Sequence, residues 1–147
     1  MEMTLAEIIQ EKGTRICQIG PESSIDDAAL LMKDERVGAL LVMLDDEITG
    51  ILTERDIVYR VLAERLDPAV VKVHEVMTKD VIVIKPALTI REAMHVVTEK
   101  RFRHMPVVSG NQLIGVVSSG DLTRRIAAED EGVIHTLYDY IYGTYPG

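Results

Sequence analysis

The chain has 147 residues, 47% of them apolar, with 16 basic and 24 acidic side chains for a formal net charge of −8. That length suits about one ordinary domain, the apolar share excludes a disordered chain, and the acidity argues against a nucleic-acid coat, which needs a broad Lys/Arg surface. No apolar run approaches the ~20 residues of a membrane span, the start Met1-Glu2-Met3-Thr4 lacks a secretory n-region, and the lone Cys17 suggests a reducing cytoplasm.

Residues 4–12 read as a leading helix, with Thr4 and Glu7 spaced as a capping box. Residues 16–19 form a short strand, punctuated by Pro21. Ser24 and Asp27 cap a helix whose apolar face carries Ala28, Leu31 and Met32. Residues 39–44 and 48–52 are strands about the turn Asp45-Asp46-Glu47, and a second helix starts near Glu54. After the linker Asp67-Pro68-Ala69 the same order returns. A strand spans 81–84, Pro86 follows, and Thr89 and Glu92 cap a helix bearing Ala93, Val96 and Val97. Strands 105–108 and 112–117 flank Ser109-Gly110-Asn111, and another helix starts near Ser119. A last helix is expected over about 133–142, within a tyrosine-rich tail suited to an interface.

Gly115 follows Gly50 by 65 positions, and the same shift aligns Pro21 with Pro86, Ile25 with Ile90, Val42 with Val107 and Asp56 with Asp121. That period is too long for a solenoid unit of roughly 20–50 residues. A half of ~60 residues is marginal alone, so the two are expected to pack together. The expected fold is mixed α/β (α+β): two pseudo-symmetric β-α-β-β-α repeats in one module, with extra N- and C-terminal helices. Its parts are residues 4–66 with the leading helix, residues 73–131, and a tail over 132–147. Charge divides unequally: residues 1–75 hold 8 basic and 16 acidic side chains, residues 76–147 hold 8 and 8.

The sharpest motif runs a strand into a helix, as Gly50-Ile51-Leu52-Thr53-Glu54-Arg55-Asp56 and again as Gly115-Val116-Val117-Ser118-Ser119-Gly120-Asp121. One reading is a pair of helix caps: Thr53 and Ser118 at N-cap, Asp56 and Asp121 three residues on. The other uses the same geometry for a ligand. A helix N-terminus attracts phosphate, and a carboxylate one turn in can accept both hydroxyls of a ribose. Arg101 and Arg103 read either as cations at a helix end or as phosphate partners. Electrostatics favour an anion at the neutral second half. His74, His95 and His135 lack metal-ligand spacing, so no metal site is expected. Cys17 reads as an inert apolar thiol, and the Met residues as core filler. The chain shows no P-loop, Ser-His-Asp arrangement or Cys-x-x-Cys pair, so no catalytic residue is assigned.

The duplicated unit with Gly-h-h-[Ser/Thr]-x-x-Asp resembles a tandem pair of CBS domains, named after cystathionine β-synthase. Val37-Gly38-Ala39-Leu40-Leu41-Val42 and Arg101-Phe102-Arg103-His104-Met105-Pro106-Val107-Val108 are similar to the family's second strand, and Glu75-Val76-Met77-Thr78 to its usual repeat opening. The tail is similar to that of small bacterial stand-alone CBS-pair proteins. The resemblance implies a regulatory module that binds AMP, ADP, ATP, NAD(H) or S-adenosylmethionine, rearranges as a homodimer, and acts on a protein target that the sequence does not name. It implies two clefts. The preferred one takes Lys79, Asp80, Val81 and Ile82 beside adenine, Arg103 and His104 toward phosphate, Met105 and Pro106 beside them, and Ser118 with Asp121 at the ribose. The other takes Arg15, Ile16, Cys17, Gly38, Ala39, Thr53, Arg55 and Asp56. There Gly38 and Ala39 stand at the positions of Arg103 and His104, so that cleft lacks those phosphate partners. A dimerisation or interaction scaffold with degenerate clefts is the alternative.

Overall fold

The computed structural model describes residues 2–13 and 16–129. The expected C-terminal helix, the tyrosine-rich tail and Arg15 lie outside them. The chain divides into two compact units. One holds the residues from Thr14 to Val83; the other joins those up to Gly13 to those from Ile84 onward.

In the first unit, strands β1 (Gln18–Ile19), β2 (Ala39–Leu44) and β3 (Glu47–Thr53) form a sheet in that order. β1 runs parallel to β2, and β2 antiparallel to β3. The β2–β3 turn is two residues long, and Asp45 and Asp46 both take positive φ (50° and 64°). Such a turn matches the right-handed twist of the flanking strands, and Asp tolerates the left-handed region. Helix α2 (Ile25–Glu35) starts at Ser24, whose hydroxyl accepts from the Asp27 amide. Helix α3 (Glu54–Ile57) widens at once into a π turn over Val58–Leu62. Val71, Val73, Val76 and Met77 complete the core with Ile25, Ala28, Met32, Leu40, Val42, Leu52 and Val61.

The second unit repeats this plan with β4 (His104–Ser109), β5 (Gln112–Ser118), helix α5 (Ile90–Lys100) and helix α6 (Ser119–Glu129). The duplication extends to its irregularities: a bulge falls between Val42 and Met43 in one hairpin and between Val107 and Val108 in the other. The expected strand over 81–84 is reduced to one parallel bridge from Ile84 to Val107. The first strand is likewise shorter than expected, although the Cys17 carbonyl still accepts from the Leu41 amide.

The leading helix, α1 (Leu5–Lys12), groups with the second repeat rather than the first. Its start is tied by Leu5 N–H to Leu88 O (2.9 Å) and Ala6 N–H to Pro86 O (3.0 Å), and Ile90 N–H donates to Met3 O. Its Leu5, Ile8 and Ile9 are buried. The first unit has a counterpart in helix α4 (Val73–Val76), which the sequence reading did not anticipate. There Val73 N–H donates to Ser23 O, His74 N–H to Pro21 O, and Ile25 N–H to Val71 O. Each repeat is therefore completed by the segment that opens the other. The two compact units place each opener with the other repeat, whereas the expected parts, 4–66 and 73–131, follow chain order.

Candidate functional site

Both strand-to-helix corners have the geometry of reciprocal caps. Thr53 N–H donates to Asp56 Oδ2 (3.0 Å) and Asp56 N–H to Thr53 Oγ1 (3.2 Å). Ser118 N–H donates to Asp121 Oδ2 (2.8 Å) and Asp121 N–H to Ser118 Oγ (3.1 Å). The strand ends are held in register as well, Ala39 against Thr53 and His104 against Ser118. The carbonyls of Gly38 and Arg103 accept from the Glu54 and Ser119 amides.

The corners differ in what surrounds the carboxylate. Asp56 is buried, 6% exposed. Its oxygens accept from the Thr78 hydroxyl at 3.2 and 3.3 Å, and Arg60 lies 3.7 Å away. Arg60 also donates to the Val76 and Met77 carbonyls, which ties the opener to this corner. Asp121 instead meets two cations: Lys12 Nζ at 2.7 Å from Oδ2 and Arg124 at 2.7 Å from Oδ1. Burial opposes ionisation of Asp121, but the Lys12 ammonium and the Ser118 amide outweigh it and hold the carboxyl below its ordinary range.

Charge at the neighbouring strand start follows the same contrast. The Glu54 side chain lies over Gly38, where an added Cβ would meet its carboxylate at 2.5 Å. The matching place in the second unit carries Arg103, which is exposed. The Arg55 guanidinium is stacked 4.9 Å from the Tyr59 ring.

Of the residues expected at the preferred cleft, Arg103, His104, Met105, Pro106, Ser118 and Asp121 come together in one unit. Met105 and Pro106 are buried, so neither offers side-chain surface. Lys79, Asp80, Val81 and Ile82 belong to the other unit. Ile16, Cys17, Gly38, Ala39, Thr53, Arg55 and Asp56 share the first unit, where Cys17 packs against the core. A groove of about 510 Å³ in that unit is lined by Met32, Lys33, Arg36, Glu54 and Val58 among others, and shares Gly38 alone with the expected residues. It adjoins the Thr53–Asp56 corner through Glu54, but neither Thr53 nor Asp56 lines it. Lys12 is the residue that sequence reasoning missed: it contacts Asp121 from 109 positions away, and no local motif marks it. Among the described residues, no cluster of His, Cys, Asp and Glu could hold a metal ion, and no helix is long and apolar enough to cross a membrane.

Residues 14–63 and 73–128 each match the family model of the CBS domain. The CBS domain-containing protein YhcV of Bacillus subtilis is 34% identical over 109 residues, 74% of this chain and 77% of that protein. A candidate signal-transduction protein with CBS domains from Burkholderia ambifaria superposes with a TM-score of 0.84 at 36% identity, covering 87% of this chain and 96% of that one. The CBS domain pair of protein MJ0100, solved with 5′-methylthioadenosine and S-adenosylmethionine, shares the fold with a TM-score of 0.77 at 20% identity, covering 88% of this chain and 100% of that one.

Proposed function

The chain belongs to the CBS-domain family, and from that premise we propose that it is a non-catalytic regulatory module that binds an adenosine-containing nucleotide at its second repeat. Asp121 takes the ribose hydroxyls, Ser118 supports ribose or phosphate, and Arg103 with His104 faces phosphate. The observation that carries this reading is the contrast between two otherwise equivalent corners. Asp121 stands among Lys12 and Arg124, with Arg103 at the adjoining strand, whereas Gly38 lies under Glu54. An anionic ligand is attracted to the first arrangement and repelled by the second. The adenosine compounds bound by the MJ0100 pair support the ligand class.

Binding would act by population shift, favouring one state of the module for a protein target to read. Exposed Val58, Tyr59 and Leu62 suit contact with a second copy. The lone Cys17 fits a reducing cytoplasm. The scaffold reading applies best to the first corner, where Thr78 already occupies both oxygens of Asp56.

Thermal unfolding of the full chain with AMP, ADP, ATP, NAD, NADH and S-adenosylmethionine in turn tests this. A ligand at 100 times its dissociation constant should add about 2.7 kcal/mol. The increment should vanish in Asp121→Ala and persist in Asp56→Ala. No increment with any of the six would leave the scaffold, and turnover of a nucleotide would make the protein an enzyme.

A further inference from the structure

The Asp121 carboxylate has few acceptor positions left. Its Oδ2 already accepts from the Ser118 amide at 2.8 Å and from Lys12 at 2.7 Å, and its Oδ1 accepts from Arg124 at 2.7 Å. A carboxylate offers about two lone pairs on each oxygen. A vicinal diol held by both oxygens needs one on each, and Oδ2 has none to spare. The Ser118 amide is main chain and fixed in the cap. Lys12 ends a long side chain that is 35% exposed, so it is the donor that can give way. Its remaining bond is to the Val116 carbonyl at 2.8 Å, which keeps the released ammonium beside the corner.

We propose that Lys12 is the specificity-determining residue of this site and selects phosphorylated nucleosides over uncharged ones. The inference rests on the reading of Asp121 as the ribose-binding carboxylate. A diol that takes Asp121 deprives Lys12 of a charge-assisted hydrogen bond. A phosphate on the same ligand gives the ammonium a new anionic partner. A neutral nucleoside gives it none, so its binding carries the full cost of the displacement.

Calorimetric titration of the full-length chain with AMP and with adenosine tests the proposal in wild type, Lys12→Met and Lys12→Arg. Wild type should prefer AMP. Lys12→Met should shrink the AMP-to-adenosine affinity ratio on the order of tenfold, partly through tighter adenosine binding. Lys12→Arg should keep most of the preference. Circular dichroism checks that Lys12→Met is folded, and Lys12→Gln replaces it if not. An unchanged ratio in the folded uncharged variant overturns the proposal and leaves the nucleotide site standing. So does an equal loss in Lys12→Arg, which would mark a packing role. If wild type and variants bind neither compound, the proposal falls, while the nucleotide reading is decided by the six-ligand unfolding series.

Discussion

Gly50 and Gly115 occupy the same register in the two hairpins, opposite Val42 and Val107. Each lets an opener approach its sheet, but the neighbours differ. A Cβ at Gly50 would lie 2.6 Å from Met77 Sδ and 2.9 Å from the Thr78 carbonyl. That carbonyl belongs to main chain paired with Ile51, so it cannot retreat cheaply. A Cβ at Gly115 would meet the Ile9 side chain at 3.1–3.3 Å, and a side chain can shift by a few tenths of an ångström. Gly50→Ala should therefore cost about 1–3 kcal/mol and Gly115→Ala about 1 kcal/mol or less, read as shifts in the urea midpoint. The caps at Thr53, Asp56, Ser118 and Asp121 were legible from residue types at i and i+3, because that interaction is local. The contacts that distinguish the corners were not. Thr78 reaches Asp56 across 22 positions and Lys12 reaches Asp121 across 109.

At the scale of elements, α1 is the piece whose removal should discriminate between the two units. Deleting residues 2–13 strips Leu5, Ile8 and Ile9 from the second unit. At about 1.5–3 kcal/mol per buried side chain, an upper figure, that loss rivals a domain's whole stability. Hydrogen exchange should then show β4 and β5 losing protection while β2 and β3 keep theirs. Equal protection in both hairpins would mean that α1 contributes little. The hairpins themselves were legible because their turns carry residues that accept positive φ, Asp45 and Asp46 in one and Gly110 in the other. The strand expected over 81–84 was not realised, since a β-branched run records propensity and only Ile84 finds a partner. The place of α1 was hidden for a different reason. The repeats align at a shift of 65, but the openers align at 68, Thr4-Leu5-Ala6-Glu7 with Lys72-Val73-His74-Glu75, so an ungapped comparison loses them.

Across the whole molecule, among the described residues, acid should act chiefly through Asp121. Glu22 and Glu92 are also held below their ordinary range, Glu22 by Lys72 and Glu92 by hydrogen bonds from Thr89. Both are fully exposed, so solvent screens what they contribute. Asp121, whose side chain is only 11% exposed, is shifted the same way. A depressed native pKa means stability that is present above the unfolded value of about 3.9 and is lost as pH falls through the native one. Asp121→Asn should thus be less stable than wild type at neutral pH, and the gap in urea midpoints should narrow toward pH ~3. A constant gap would show that the loss comes from packing rather than charge.

The exchange of openers also orders events in time. During synthesis the first unit has all its parts once residue 83 has emerged, because its opener lies downstream and arrives last. The second unit's helix is made first, yet β5, against which it rests, ends at Ser118. At about 5–20 residues per second, α1 waits roughly 5–20 s with Leu5, Ile8 and Ile9 uncovered. A nascent chain would thus carry one finished unit and an uncovered leading helix at once, a state in which chaperone capture and pairing between neighbouring chains on a polysome compete with correct closure.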